Sequence, residues 1–272
     1  MERRTHDLID WIMPLAVILC TGFIISSGPN FLISWGWADA TIQGRYEGAD
    51  PLQYIALIAW PILFVAGVIL VKASPPLEDE HLSGFDRISL FLGRVTMLLI
   101  ALLVGVMTYE VVLRYVFERP TLWANELSLW MAGFLFLFAG QYAMQQRSHI
   151  RIFIIYDLFP RWLQKVCDTI SVILIVIFAF AMIWGGYGEA SQQFFRWELY
   201  GTAFDPPLPA TVSPAILIVI TLVALQAISN LIADWSKEKE IHTPMDDVEE
   251  VELNLGAIGD SHVDHKHQDK KD

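Results

Sequence analysis

The chain has 272 residues, 54% of them hydrophobic and only 18% charged, with a formal charge of −12 and a mean hydropathy of +0.45. No ordinary soluble domain has this balance, and so acidic a chain is a poor partner for nucleic acid. The apolar residues fall in continuous blocks of about 20, the length at which a helix crosses a bilayer core, rather than in the alternating pattern of a membrane barrel.

The expected fold class is therefore all-α: a polytopic helical membrane protein with six transmembrane helices. Its two cysteines, Cys20 and Cys167, lie in or beside different apolar runs and give neither a disulfide framework nor metal-ligand spacing. The seven histidines (His6, His81, His149, His242, His262, His265, His267) fall outside the apolar cores, which argues against a bis-histidine haem between spans. No metal site and no cofactor is expected on this chain.

In chain order, Arg3 and Arg4 precede a first run from about Trp11 to Gly28. The small residues Ser26, Ser27 and Gly28 resemble a signal-peptide cut, but Asp7 and Asp10 do not suit a positive leader and no A-x-A follows. A retained span is expected, with Pro14 in its first turn. Residues 29–51 are polar, with Trp35 and Trp37 placed as an interfacial belt. A second run, Leu52 to Lys72, contains Pro61, a candidate kink, and a Pro-rich acidic linker follows.

The third run, Ile88 to about Phe117, is long enough to tilt or project, and Arg87 and Arg94 are expected to snorkel to the interface. The fourth is Trp123 to Gln146. After it, Ile155, Leu158, Phe159, Trp162 and Val166 recur at helical spacing opposite Asp157, Arg161 and Lys165, which predicts an amphipathic interfacial helix over 154–166. The fifth run is Asp168 to Gly188, loosened at its end by Gly185, Gly186 and Gly188. An aromatic loop over 189–213 leads to the sixth, Pro214 to Trp235. From Ser236 the tail carries eleven acidic against five basic residues and reads as mostly disordered; its HVDHKH run reads as solvated charge.

The domains expected are thus an N-terminal two-helix hairpin (1–73), a linker (74–86), a four-helix core (87–235) and a cytoplasmic tail (236–272). Six spans put both termini on one side. Arg3, Arg4, Lys72, Arg87, Arg147, Arg151, Arg161, Lys165, Lys237 and Lys239 share that side, against Arg45, Arg114, Arg119 and Arg196 on the other. The positive-inside rule then makes both termini cytoplasmic.

Charges inside spans are costly and need a reason. Glu110 and Arg114, four apart, share a helix face, and Glu126 lies one turn into the next helix across a tight turn, where Thr121 could cap the helix and Trp123 could meet the interface. The three form either a proton or ion relay or a structural ion-pair clamp; the clamp is preferred, since one hairpin offers too few polar groups for a pathway. No nucleophile–base pair, phosphate loop or zinc pattern is present, so no enzyme is expected. Neither midplane ligands nor repeated halves point to an autonomous transporter. A stand-alone transporter or channel and an anchor for an electron-transfer complex remain the alternatives.

The pieces EVVLRYVFERP, WANEL, GQYAM and HIRI resemble the small membrane subunit of tripartite ATP-independent periplasmic (TRAP) transporters. The matching positions are Arg114, Tyr115, Phe117, Trp123, Glu126, Leu127, Gly140, Ala143, His149 and Arg151, and the resemblance covers about 86–235. Phe153 stands where that family often has an acid, and the N-terminal hairpin is additional to the usual four helices.

The resemblance implies a bacterial inner-membrane protein partnered by a large (DctM-like) membrane subunit, which carries the substrate and sodium sites. A periplasmic substrate-binding protein would deliver an organic anion such as a carboxylate or sulfonate. The small subunit would brace the large one and help dock the binding protein. On this reading Trp123, His149, Arg151 and Trp162 are interface anchors among membrane lipids, and Arg196, Trp197 and Tyr200 are candidate contacts for the binding protein.

Overall fold

The computed structural model describes residues 2–40, 42–71, 84–146 and 160–235. It comprises α1 (Glu2–Ser26), α2 (Gly28–Ser34), α3 (Pro51–Leu70), α4 (Gly84–Tyr115), α5 (Ala124–Gln145), α6 (Arg161–Phe195) and α7 (Leu208–Asp234). The described residues form no strand. α3 to α7 are each long and apolar enough to cross a membrane, and α1 with α2 make a sixth span only if that pair, bent by 56°, counts as one.

Several expected boundaries move. α1 begins well before Trp11, so Pro14 sits in the helix interior and not in its first turn. Ser26, Ser27 and Gly28 form the bend: the Ser27 hydroxyl donates to Phe23 O at 3.0 Å, and α2 restarts with Pro29, which needs no N–H partner there. α3 runs unbroken through Pro61, and Gln53 Oε1 accepts the Asp50 N–H at 3.0 Å to close its first turn. α4 starts inside the expected linker, of which 74–83 lies outside the described residues.

The largest change is α6. It is one 35-residue helix, about 52 Å at 1.5 Å per residue. It absorbs the described end of the expected interfacial helix (161–166), passes through Gly185, Gly186 and Gly188, and shortens the expected 189–213 loop to 196–207. Residues 147–159 lie outside the described residues, as does the tail from 236. α7 starts six residues before Pro214, at Leu208.

α4 packs on α5, α5 on α7 and α7 on α6, while α1 packs on α3 and both lean on α4. α4 is the central element: 44% of its apolar stretch is buried, against 6% for α3 and for α6. In lipid the helices gain little from leaving hydrocarbon, so close fit decides their association. The main core joins Val17 of α1 and Val71, just past α3, to Leu90, Phe91, Val95 and Leu99 of α4. A Cβ on Gly67 of α3 would lie 2.4 Å from the Phe91 ring, so glycine there is what admits the ring between α3 and α4. Arg87 also reaches across, donating to Ile69 O in the last turn of α3 at 3.2 Å. Arg94 is buried, 8% exposed, and so does not snorkel to the surface as expected.

Candidate functional site

The polar residues of the spans gather at the two ends of the bundle. At the end bearing the 116–123 and 196–207 loops, Glu110 is 3% exposed and accepts from Arg114 Nη2 at 2.6 Å and Nε at 3.1 Å, both on Oε1. Its other oxygen accepts the Thr121 N–H at 3.0 Å and the Thr121 hydroxyl. Glu110 therefore ties the last turn of α4 to the chain entering α5. Thr121 does this in place of capping α5, whose N-cap is Trp123. The turn itself holds Glu118 at φ 53°, and the Arg119 N–H returns to Leu113 O at 3.0 Å.

Glu126 does not join this pair. Its Oε2 accepts the Thr202 hydroxyl at 2.6 Å and the backbone N–H groups of Phe204 and Asp205 at 3.2 Å each. The expected three-residue clamp is thus two separate fixings: Glu110 with Arg114 and Thr121, and Glu126 with the loop before α7. That loop is also closed on itself, with the Gly201 N–H on Asp205 Oδ1 at 2.7 Å and the Tyr200 N–H on Pro206 O at 3.1 Å.

Trp123 is half-buried and its ring lies 6.1 Å from that of Tyr109, across the α4–α5 turn. Trp162 is 66% exposed in the first turn of α6, where Lys165 Nζ sits 5.2 Å over the ring of Trp235. His149 and Arg151 lie outside the described residues.

Of the candidate contacts for a binding protein, Trp197 is corrected. It is 7% exposed, in a cluster with Leu32, Ile42 and Ala210, and belongs to the interior. A Cβ on Gly28 would lie 2.0 Å from its ring, so the bend after α1 and the end of α6 interlock there. Arg196 is half-exposed and pairs with Asp39 at 3.6 Å, and Tyr200 is exposed.

The opposite end holds a polar cluster that the reading of Asp, Glu and Lys alone did not single out. Gln141 Nε2 donates to Ser89 Oγ at 2.8 Å, and Ser89 Oγ donates to Gln226 Oε1 at 3.0 Å. Gln226 Nε2 donates to Asp86 Oδ1 at 2.7 Å and to Asn230 Oδ1 at 3.0 Å, and Asn230 Nδ2 donates to Met144 O at 2.8 Å. Ser89, Gln141 and Gln226 are all buried. The cluster fixes α4, α5 and α7 to one another, and amides inside apolar runs were its visible signal. Among the described residues, no group of three His, Cys, Asp or Glu is placed to hold a metal ion.

Residues 103–237 match the family described as tripartite ATP-independent periplasmic transporters, DctQ component. The C4-dicarboxylate TRAP transporter small permease protein DctQ of Vibrio cholerae serotype O1 (strain ATCC 39315 / El Tor Inaba N16961) is 26% identical over 131 residues, 47% of this chain and 56% of that protein. The alignment thus spans little more than half of the curated relative. No solved structure matches the chain. The match takes in the end of α4 from residue 103 and all of α5, α6 and α7, including both fixings at the loop end, and leaves α1 to α3 and the start of α4 outside. Residues 103–237 therefore form a domain of the DctQ family, and the chain is similar to the small subunits of TRAP transporters.

Proposed function

We propose that this chain is an accessory scaffold subunit of a sodium-coupled, binding-protein-dependent importer, bracing a large DctM-like membrane subunit and helping a periplasmic substrate-binding protein to dock. One observation carries this reading beyond the family match. Glu110, Arg114 and Glu126 are engaged within the chain, two of them on backbone N–H groups of loops. Such groups brace helix ends, whereas a relay needs groups that exchange partners with the solute.

The substrate class proposed is an organic anion, carboxylate or sulfonate; the relative's printed name gives C4-dicarboxylate for that protein. Sodium ions would bind the large subunit, with no cofactor and no reaction on this chain. The setting is a bacterial inner membrane, with both termini cytoplasmic by the positive-inside count. Exposed faces of α3 and α6, with Ile58 and Ile62 on one and Phe180 and Trp184 on the other, suit contact with the large subunit and membrane lipids. Arg196 and Tyr200 remain surface candidates for the binding protein, and His149 with Arg151 remain candidate cytoplasmic anchors.

Reconstitution tests this. Liposomes holding the chain alone should show no uptake of a dicarboxylate down a sodium gradient. Those holding it with the large subunit and the binding protein should show uptake. Flux through the chain alone would overturn the scaffold reading in favour of a stand-alone transporter.

A further inference from the structure

We propose that the groove between the N-terminal hairpin and the DctQ unit is a binding site for one acyl chain of a membrane phospholipid. The space measures about 280 Å³ and lies among α1, α3, α4 and α5, with Gly22, Trp60, Phe64, Phe91, Leu102 and Trp130 on its walls. Along α4 it runs from Phe91 to Leu102, about 16 Å at 1.5 Å per residue.

Chemistry and size select the occupant. The polar side-chain groups on the wall are already bonded within the protein. Trp60 Nε1 donates to Thr21 Oγ1 at 2.8 Å, Thr21 Oγ1 donates to Val17 O at 2.7 Å, and Trp130 Nε1 donates to Thr211 Oγ1 at 2.8 Å. What remains is hydrocarbon and aromatic surface, which offers a ligand dispersion contacts and nothing else. An apolar cavity of roughly 150 Å³ admits the six carbons of benzene, so this one holds on the order of eleven carbons. That is the scale of a lipid tail.

The groove is also continuous with the lipid-facing surface. Gly22 and Leu102, on its walls, are exposed, as are their neighbours Leu19, Phe23 and Val104. Hydrocarbon of the bilayer thus adjoins the opening, and a tail enters sideways without dehydrating a polar group. The walls come partly from α1 and α3, which lie outside the family match, so the additional hairpin creates the site. A tail held there fills the seam between the hairpin and the transport-family unit.

The test uses the full-length chain in phosphatidylethanolamine/phosphatidylglycerol vesicles, with a trace of phosphatidylglycerol bearing a diazirine on one acyl chain. After illumination, adducts are mapped by peptide mass spectrometry. Val95 and Leu99 line the groove and are only 5% and 7% exposed, so surrounding lipid touches them little, and adducts there are expected from a tail inside. Gly22→Phe should lower those adducts several-fold while leaving those on outward-facing Leu19, Ile58 and Ile62. A Cβ at position 22 meets nothing within 4 Å, so the added ring has room to enter the groove. Adducts confined to outward residues in the unaltered protein, or wall adducts unchanged in Gly22→Phe, would overturn the proposal.

Discussion

A Cβ on Gly28 would sit 2.0 Å from the ring of Trp197, far inside contact distance. These residues are 169 positions apart, and between them the N-terminal bend closes on the end of α6. The indole is buried and its backbone is held at φ 47°, so the ring has little freedom to retreat. The additional hairpin is therefore keyed into the family unit at one end by this contact, and at the other it is keyed to the start of α4 by Gly67 against Phe91.

Gly28→Ala should lower stability by about 1–3 kcal/mol, the usual cost of forcing extra volume into a packed site. Trp197→Ala should cost about 3–5 kcal/mol, since it empties a large buried site. Thermal unfolding of the two purified variants in mild detergent checks both values. The order matters: a neutral Trp197→Ala would mean that the interlock contributes nothing.

Glu110 and Arg114 should behave as a coupled pair, and Arg114 and Glu126 should not. Double-mutant cycles on thermal stability separate them. Arg114→Ala with Glu126→Ala should add to within about 0.5 kcal/mol, as independent sites do. Glu110→Gln with Arg114→Ala should depart clearly from additivity. Strong coupling between positions 114 and 126 would restore the three-residue clamp.

Glu126→Ala removes one acceptor from three donors of the 202–205 loop. A loss of about 1–2 kcal/mol is expected, reduced because the loop is partly hydrated. Hydrogen exchange should rise at the Phe204 and Asp205 amides and stay unchanged at Thr121. A rise at Thr121 instead would place Glu126 on the α4–α5 turn.

At the opposite end, Gln226→Leu should cost about 1–3 kcal/mol, because it removes an acceptor of the buried Ser89 hydroxyl and the donor to Asp86 and Asn230. Ser89→Ala should cost less, because the lost hydroxyl leaves two amides that can turn towards other partners. Unfolding temperatures of the two variants give the comparison.

Much of this architecture was legible in the residues. Apolar blocks of spanning length placed the helices from α3 onwards, and the four-residue spacing of Glu110 and Arg114 put their charges together. The local signals misled where distant packing decides. Ser26, Ser27 and Gly28 gave no sign that they form a bend, because nothing nearby announces the Trp197 ring. Trp197 looked like a surface aromatic in an outward loop for the same reason. Glu126 looked like a partner for Arg114 because its actual donors lie more than 75 residues further on. Three glycines suggested a loosened end to the fifth span, yet α6 continues past them, with α7 packed alongside. The amides Gln141 and Gln226 were visible inside apolar runs. Their significance follows only once α4, α5 and α7 bring them to Ser89.

The central claim is that this chain works by holding a neighbour. Its most direct test is mild-detergent purification of the tagged full-length chain from its native membrane, followed by intact-complex mass spectrometry. The expected result is a defined complex with one many-helix membrane protein, disrupted by variants that loosen the α4–α5 turn, such as Glu110→Ala. A chain that purifies without such a partner, while retaining its fold and its helices, would contradict the claim.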